Sequence, residues 1–439
     1  MAGAGFDEAD LPGRAALVER AVAAFEATTG RPPAWGWIVP GRIEIVGKHT
    51  DYAGGRSLVA AVPRGFAVVA GPRGDDLVTA YDARWDARME VRPGADGPAF
   101  TGWANYVAVV ARRLAHNFPG AALGCDVVFA SDLPRAAGVS SSSALVVGLA
   151  SALTRRARLA DRPEWQAALP SPLEVAGYFG AVENGLSFAS LASRTGVGTH
   201  GGSEDHTAIL ACRGGSVSAF SYLPVRRVGD RRFPDAWRFV VMASGVEADK
   251  AGSANARYNR ASLGTQALAD VWGRARGGAR PTLGSILAEP GAVEALADML
   301  AETPVSGFGA DELARRLAHF VAEDSRVPLV LEAIGRADAA AMGELAAASQ
   351  RDADALLGNQ IPETVALAGL ARSSGAFAAS SFGAGFGGSV WALVEAARAR
   401  EFAARWQAAY AQAVPAGRDV PWFIARPAPA VVDLDFSES

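Results

Sequence analysis

Five polar or ionisable residues, Arg42, Lys48, His49, Thr50 and Asp51, crowd residues 40–55, a stretch punctuated by Gly41, Gly47, Gly54 and Gly55. An Asp can accept hydrogen bonds from two vicinal hydroxyls, and a buried Arg can hold developing negative charge. A solvated polar turn has the same composition, so these residues alone leave both readings open. A second segment runs from Leu133 through Gly138 to Ser140, Ser141, Ser142 and Ser143, small residues followed by serines at the start of an apolar helix. Free backbone N–H groups and the positive helix end suit a phosphate there, and a first-turn hydroxyl could ligate Mg²⁺. Simple N-capping accounts for one serine, not four. The Gly-Lys-Ser/Thr ending of a Walker loop is missing. A third segment carries Gly383, Gly385, Gly387 and Gly388 and leads into Val390. A strand follows where a dinucleotide fingerprint requires a helix, which argues against a Rossmann site.

The elements that must position these residues read as follows. Residues 11–29 have apolar positions at helical spacing, closed by Gly30 and two prolines. Residues 37–46 read as a strand interrupted at Pro40-Gly41, and residues 58–62 and 66–70 as two strands turning at Pro63-Arg64-Gly65. Residues 103–116 and 139–158 are helical, residues 125–130 alternate as a strand, and residues 208–220 suggest a hairpin around Arg213-Gly214-Gly215. After a charged, proline-containing stretch at 221–237 come a strand at 239–243, helices from 256 to about 372, and a strand at 390–394. The tail from Pro427 reads as an extended strand or a loose end. Strands and helices mix without a repeating βαβ period, so the expected class is α+β. The expected domains are 1–221 and 222–439.

Composition bounds the rest. The 439 residues carry a net charge of −4, half are hydrophobic and a fifth are charged. No basic field exists to attract nucleic acid or anionic lipid, and no apolar stretch is long enough for a membrane span. The N-terminus lacks the basic start and apolar core of a signal peptide, so a cytoplasmic location is expected. Cys125 and Cys212 have no metal-like spacing and read as two buried thiols.

Taken together, the three segments resemble the GHMP kinases, and the galactokinase branch in particular. Residues 40–55 are similar to that branch's Gly-Arg-x-Asn-x-Ile-Gly-Glu-His-Thr-Asp-Tyr signature, residues 134–143 to the family's phosphate loop, and residues 383–388 to its C-terminal glycine loop. Trp103-Ala104-Asn105-Tyr106-Val107 matches a further galactokinase-like stretch near the nucleotide. The resemblance implies two α+β domains with the active site in the cleft between them, and an ATP-dependent kinase making a sugar 1-phosphate with Mg²⁺. It makes Asp205 the base for the sugar hydroxyl, with Arg42 beside it. It implies substrate contacts from Lys48, His49, Asp51, Gly202 and Tyr258. Nucleotide contacts would come from Trp103, Gly138 and Ser140 to Ser143, and Mg²⁺ contacts from Ser142 and Glu183. Sugar and ATP are the expected partners, with a monomer expected and a homodimer as the alternative.

The departures from the pattern carry their own expectations. Residues 190–199 look like an insertion between Glu183 and Asp205. Ala136 and Ala137 replace glycines of the phosphate loop, and Glu44 replaces an Asn. Lys48 stands where the branch has a Glu that contacts the sugar's C6 hydroxyl. A lysine there has donors only and would suit a C6 carboxylate, so a uronate such as galacturonate is an alternative substrate to galactose. Lys48 turned outward or paired with Glu44 would leave galactose. Two further functions fit the same motifs: a non-catalytic ATP- and sugar-binding regulator, and a kinase for a non-sugar alcohol. Against the second, such alcohols offer Asp51 no pair of ring hydroxyls.

Overall fold

A run of aliphatic and aromatic residues forms strand β1 (Trp35–Val46), buried along nearly its whole length. β1 pairs antiparallel with β2 (Arg56–Pro72), one long strand across the stretch expected to turn at Pro63. The reason lies in the register. Pro63 falls where the β1–β2 ladder shifts between Pro40 and Arg42, and outside the segments of β2 that pair with other strands. Its missing N–H therefore costs no ladder bond.

In this computed structural model, which describes residues 5–94, 97, 99–134, 138–248, 254–277 and 280–436, two sheets divide the strands. The first sheet adds β3 (Val78–Asp82), β4 (Ala87–Val91), β5 (Cys125–Ser131), β6 (Ser216–Ser221), β7 (Arg226–Arg232) and β12 (Val432–Leu434). Its order is β12-β1-β2-β5-β3-β4, with β6 on the first half of β2 and β7 beside it. The second sheet holds β8 (Trp237–Ala243), β9 (Ala378–Ser381), β10 (Ser389–Glu395) and β11 (Trp422–Ala425), in the order β11-β8-β10-β9. The 221/222 division expected from sequence falls inside the β6–β7 hairpin, and the chain's last strand returns to β1.

Helices α1 (Leu11–Thr29), α2 (Trp103–Asn117), α3 (Ser141–Ala157), α4 (Pro163–Ala168), α5 (Pro172–Asn184) and α6 (Glu204–Ala211) belong with the first sheet. Residues 208–211, expected in a hairpin strand, are the end of α6; a short buried apolar run does not distinguish the two by periodicity. Helices α7 (Asn255–Arg276), α8 (Leu283–Ile286), α9 (Ala292–Glu302), α10 (Ala310–Gly335), α11 (Ala339–Asp352), α12 (Pro362–Ser373) and α13 (Ala399–Ala413) follow. One apolar cluster runs from Val39 and Val68 of the first sheet to Phe239 and Trp391 of the second, so the sheets share a core. Cys125 and Cys212 are both buried and unbridged, as expected. No helix among the described residues is long and apolar enough to cross a membrane.

Candidate active site

A cavity of about 820 Å³ opens where the two parts meet. β1 delivers Arg42 and Glu44 to its wall on one side of the strand, because side chains two apart share a face. The turn after β1 delivers His49, Asp51 and Tyr52, and α7 adds Tyr258. His49 has φ 58°, a left-handed conformation rare for a non-glycine residue. Its Nδ1 lies 2.9 Å from the Tyr52 hydroxyl and its Nε2 3.1 Å from the Ala384 carbonyl.

The Asp205 carboxylate, at the start of α6, accepts from Arg42 Nε at 2.9 Å and lies 2.7 Å from Arg42 Nη2. Ser143 Oγ donates to it at 3.2 Å and to Glu183 Oε2 at 2.9 Å. Arg42 Nη1 donates to the Gly138 carbonyl at 2.6 Å, tying the phosphate-loop stretch to the same centre. Burial alone would lower the Arg42 pKa, but Asp205, Glu204 and Glu44 outweigh it and hold the guanidinium charged. Glu204 and Asp51 meet through the Glu204 N–H, which donates to Asp51 Oδ2 at 3.1 Å. Gly202 is required beside them, since a Cβ there would lie 2.3 Å from Asp51 Oδ2.

At the other end, Ser140, Ser141 and Ser142 line the cavity at the N-terminus of α3, next to an apolar wall of Phe100, Trp103, Tyr106, Phe129 and Leu145. Trp103 meets Phe129 edge-on at 5.5 Å. Ser140 is 7% exposed, and its hydroxyl has no protein partner among the described residues. The C-terminal glycine loop closes over this region. Gly383, Gly385, Gly387 and Gly388 all have positive φ, and the Gly383 N–H donates to Glu44 Oε2 at 2.7 Å. A Cβ on Gly385 would lie 2.4 Å from the Asn359 carbonyl, so that turn needs glycine.

The galactokinase galactose-binding signature matches residues 23–72, the GHMP kinase N-terminal domain residues 105–169 and the GHMP kinase C-terminal domain residues 330–412. A galactokinase of Chloroflexus aggregans is 30% identical over 89% of this chain and 91% of its own. A galactokinase of Streptomyces coelicolor is 29% identical over 85% of this chain and 88% of its own. The chain belongs to the galactokinase branch of the GHMP kinases. The fold agrees. The crystal structure of Lactococcus lactis galactokinase complexed with galactose superposes with a TM-score of 0.75 at 21% identity, covering 94% of this chain and 98% of that one. Methanococcus jannaschii mevalonate kinase follows at 0.56 and 13% identity, covering 89% and 98%.

For this GHMP kinase, the cavity wall brings together Arg42, His49, Asp51, Trp103, Gly138, Ser140, Ser141, Ser142, Glu183, Gly202, Asp205, Tyr258 and Gly383, all singled out from sequence. Five of the singled-out residues lie off the lining: Gly385, Gly387 and Gly388 of the glycine loop, Ser143 and Lys48. Ser143 is fully buried and bridges Asp205 and Glu183 from behind. Lys48 corrects the expectation of a C6 contact: its ammonium donates to Ser349 Oγ and lies 3.6 Å from Glu323 Oε1, away from the cavity lining. Nor is Glu44 its partner. Ala136 and Ala137 lie outside the described residues. In residues 190–199, the stretch expected to be an insertion, the Gly198 carbonyl accepts from Asn255 and Asn259 of α7.

Several groups escaped the sequence reading. Glu204 and His206 flank Asp205 and line the cavity; the run of ionisable residues at 204–206 was their signal. His206 Nε2 lies 2.9 Å from Glu183 Oε2. Glu323 Oε1 accepts from the N–H groups of Gly47 and Lys48 and from Ser349 Oγ, and Arg316 donates to the His49 carbonyl and the Tyr52 hydroxyl. Nothing local marks these two, because both sit on an ordinary amphipathic helix.

Proposed function

We propose that this chain transfers the γ-phosphoryl group of ATP to the anomeric hydroxyl of galactose, producing galactose 1-phosphate and ADP. The observation that carries this reading is the Asp205 carboxylate, held by Arg42 at the wall between Asp51 and the first-turn serines of α3. Asp205 accepts the proton of the sugar hydroxyl as its oxygen attacks the γ-phosphorus, and the β–γ bridging oxygen leaves with ADP. Arg42 offsets charge on the transferring group, the kind of electrostatic work on which phosphoryl transfer depends. Asp51 receives two ring hydroxyls, while Tyr258 and Gly202 bound the ring. The adenine lies against the apolar wall at Trp103, and the phosphates meet Gly138, Ser140, Ser141 and the N-terminus of α3.

Mg²⁺ fits the donor set. Ser142 and Glu183 are hard oxygen donors on the cavity wall, and no group of three or more His, Cys, Asp or Glu among the described residues could hold a metal ion. An ion there would share its coordination with the triphosphate, whose charge it neutralises when bound.

The uronate alternative loses its supporting residue, since Lys48 is committed to Glu323 and Ser349. The carboxyl groups of Glu44, Asp51, Glu204 and Asp205 at this end also disfavour an anionic sugar. The test is ATP turnover with Mg²⁺ against galactose, galacturonate, glucuronate, N-acetylgalactosamine and arabinose. Galactose is expected to lead and galacturonate to be inert, with the order unchanged in Lys48→Met. A leading uronate would overturn the substrate; silence across the panel, with sugar-dependent thermal shifts, would favour the non-catalytic binder.

A further inference from the structure

Glu44, Asp51, Glu204 and Asp205 line one end of the cavity around a single guanidinium, that of Arg42. Lys48 is drawn off to Glu323. Four ionised carboxylates on one buried wall would repel one another with too little positive charge to compensate. Their hydrogen bonds show where a proton is best kept. Asp205 accepts from Arg42 Nε, with Arg42 Nη2 2.7 Å away, and from the Ser143 hydroxyl, and half-buried Asp51 takes the Glu204 N–H. Among the described residues, the carboxyl of Glu204, 5% exposed, has only a 3.4 Å approach to Arg42 Nε; that of Glu44, 2% exposed, has the Gly383 N–H.

We propose that Glu44 and Glu204 hold one proton between them while the enzyme works, and that losing it sets the alkaline limit of phosphoryl transfer. This rests on the kinase reading above. With the proton in place, Arg42 serves Asp205 and the incoming phosphate oxygens. Without it, a further negative charge beside Arg42 offsets the guanidinium where the triphosphate must arrive. Both glutamates act through Arg42 and are positioning residues.

The electrostatics agree in direction. Burial, then Glu44, holds Glu204 well above the usual carboxylate range; burial pushes Glu44 up to about 7 against the pull of Arg42 and Lys48. The charged and titratable groups facing Glu204 are Arg42 and Glu44 from β1, Asp51 from the next turn, Asp205 from its own helix and Tyr222 beyond β6. Those facing Glu44 are Arg42, Lys48 and Glu323, together with Glu204 and Tyr52. Because these carboxyls are raised, the activity they support is present at lower pH and lost as pH rises through their values.

The experiment is kcat/KM for ATP against pH at saturating galactose, for the wild type, Glu204→Gln and Glu44→Gln. The wild type should lose about tenfold per pH unit on its alkaline side, and each glutamine variant should move that fall up by about one unit or more. An alkaline limb unmoved in both variants overturns the proposal. Infrared difference spectra of the wild type, titrated from about pH 6 to about pH 10, give a readout independent of turnover. The carbonyl band of a protonated carboxyl should vanish on the alkaline side and be missing from the Glu44→Gln/Glu204→Gln double variant. A wild type without that band at neutral pH overturns the proposal even if galactose is phosphorylated. The band present with no turnover on any sugar would retain the pair and discard the kinase reading.

Discussion

At the end of the cavity proposed to take the phosphates, the polar groups come from one continuous stretch, Gly138 to Ser142, where helix α3 begins. The other end is built differently. The turn carrying His49 and Asp51 is pinned by Glu323, 276 residues from Gly47 along the chain, and by Arg316, 267 residues from His49. A site made by local chain geometry announces itself in a motif. A site held by a remote buried ion pair does not, and its residues can be recognised while their directions are misjudged. Lys48 is that case.

The largest effect should come where the two ends meet. Asp205→Asn keeps the size of the side chain but removes the carboxylate proposed to accept the proton, and kcat should fall by about 10²–10⁴-fold. Steady-state kinetics with galactose and ATP decide it. A loss below about tenfold would mean that Asp205 mainly orients the sugar.

Next comes the remote anchor. Glu323→Ala leaves Lys48 buried without its partner and frees the Gly47 and Lys48 N–H groups. A loss of about 3–5 kcal/mol in chemical denaturation is expected. Burial opposes it, but Lys48, His319 and Arg326 lower the Glu323 pKa to about 2. A depressed carboxylate contributes stability above its unfolded value, lost as pH falls toward the folded one. The wild type should therefore lose stability between about pH 4.5 and about pH 2, more steeply than Glu323→Ala. Equal slopes would show that the pair contributes little and that the sugar turn holds itself.

The smallest effect on stability belongs to the phosphate end. Ser140→Ala removes a hydroxyl with no protein partner among the described residues, so stability should change by no more than about 0.5 kcal/mol. KM for ATP should rise severalfold while KM for galactose stays put. A large destabilisation instead would make the serine structural and blur the contrast between the two ends.

Much of the architecture was legible, for physical reasons that differ by element. Helix α1 matched its expected bounds because its apolar stripe is long and closed by Gly30. The strand after the glycine loop was plain from residues 390–394, observed as 389–395, and it alone removed the dinucleotide reading. The first arm of the hairpin expected at 208–220 failed because the four residues 208–211, all Ala, Ile or Leu, fit a buried helix as well, whereas the second arm is β6. Glu44, without a rationale in the sequence, gains one in the fold as the acceptor for the Gly383 N–H, 339 residues away.

By itself the sequence determined the chemistry: glycines where no Cβ fits, serines opening a helix, and an Arg and two Asp of the right kind, because those requirements are local in backbone and functional group. Only the tertiary structure decided which carboxyl meets Arg42, which way Lys48 points and how many acids share the cavity wall. Those outcomes depend on groups brought together by burial, whose energies are set by neighbours that no sequence spacing records.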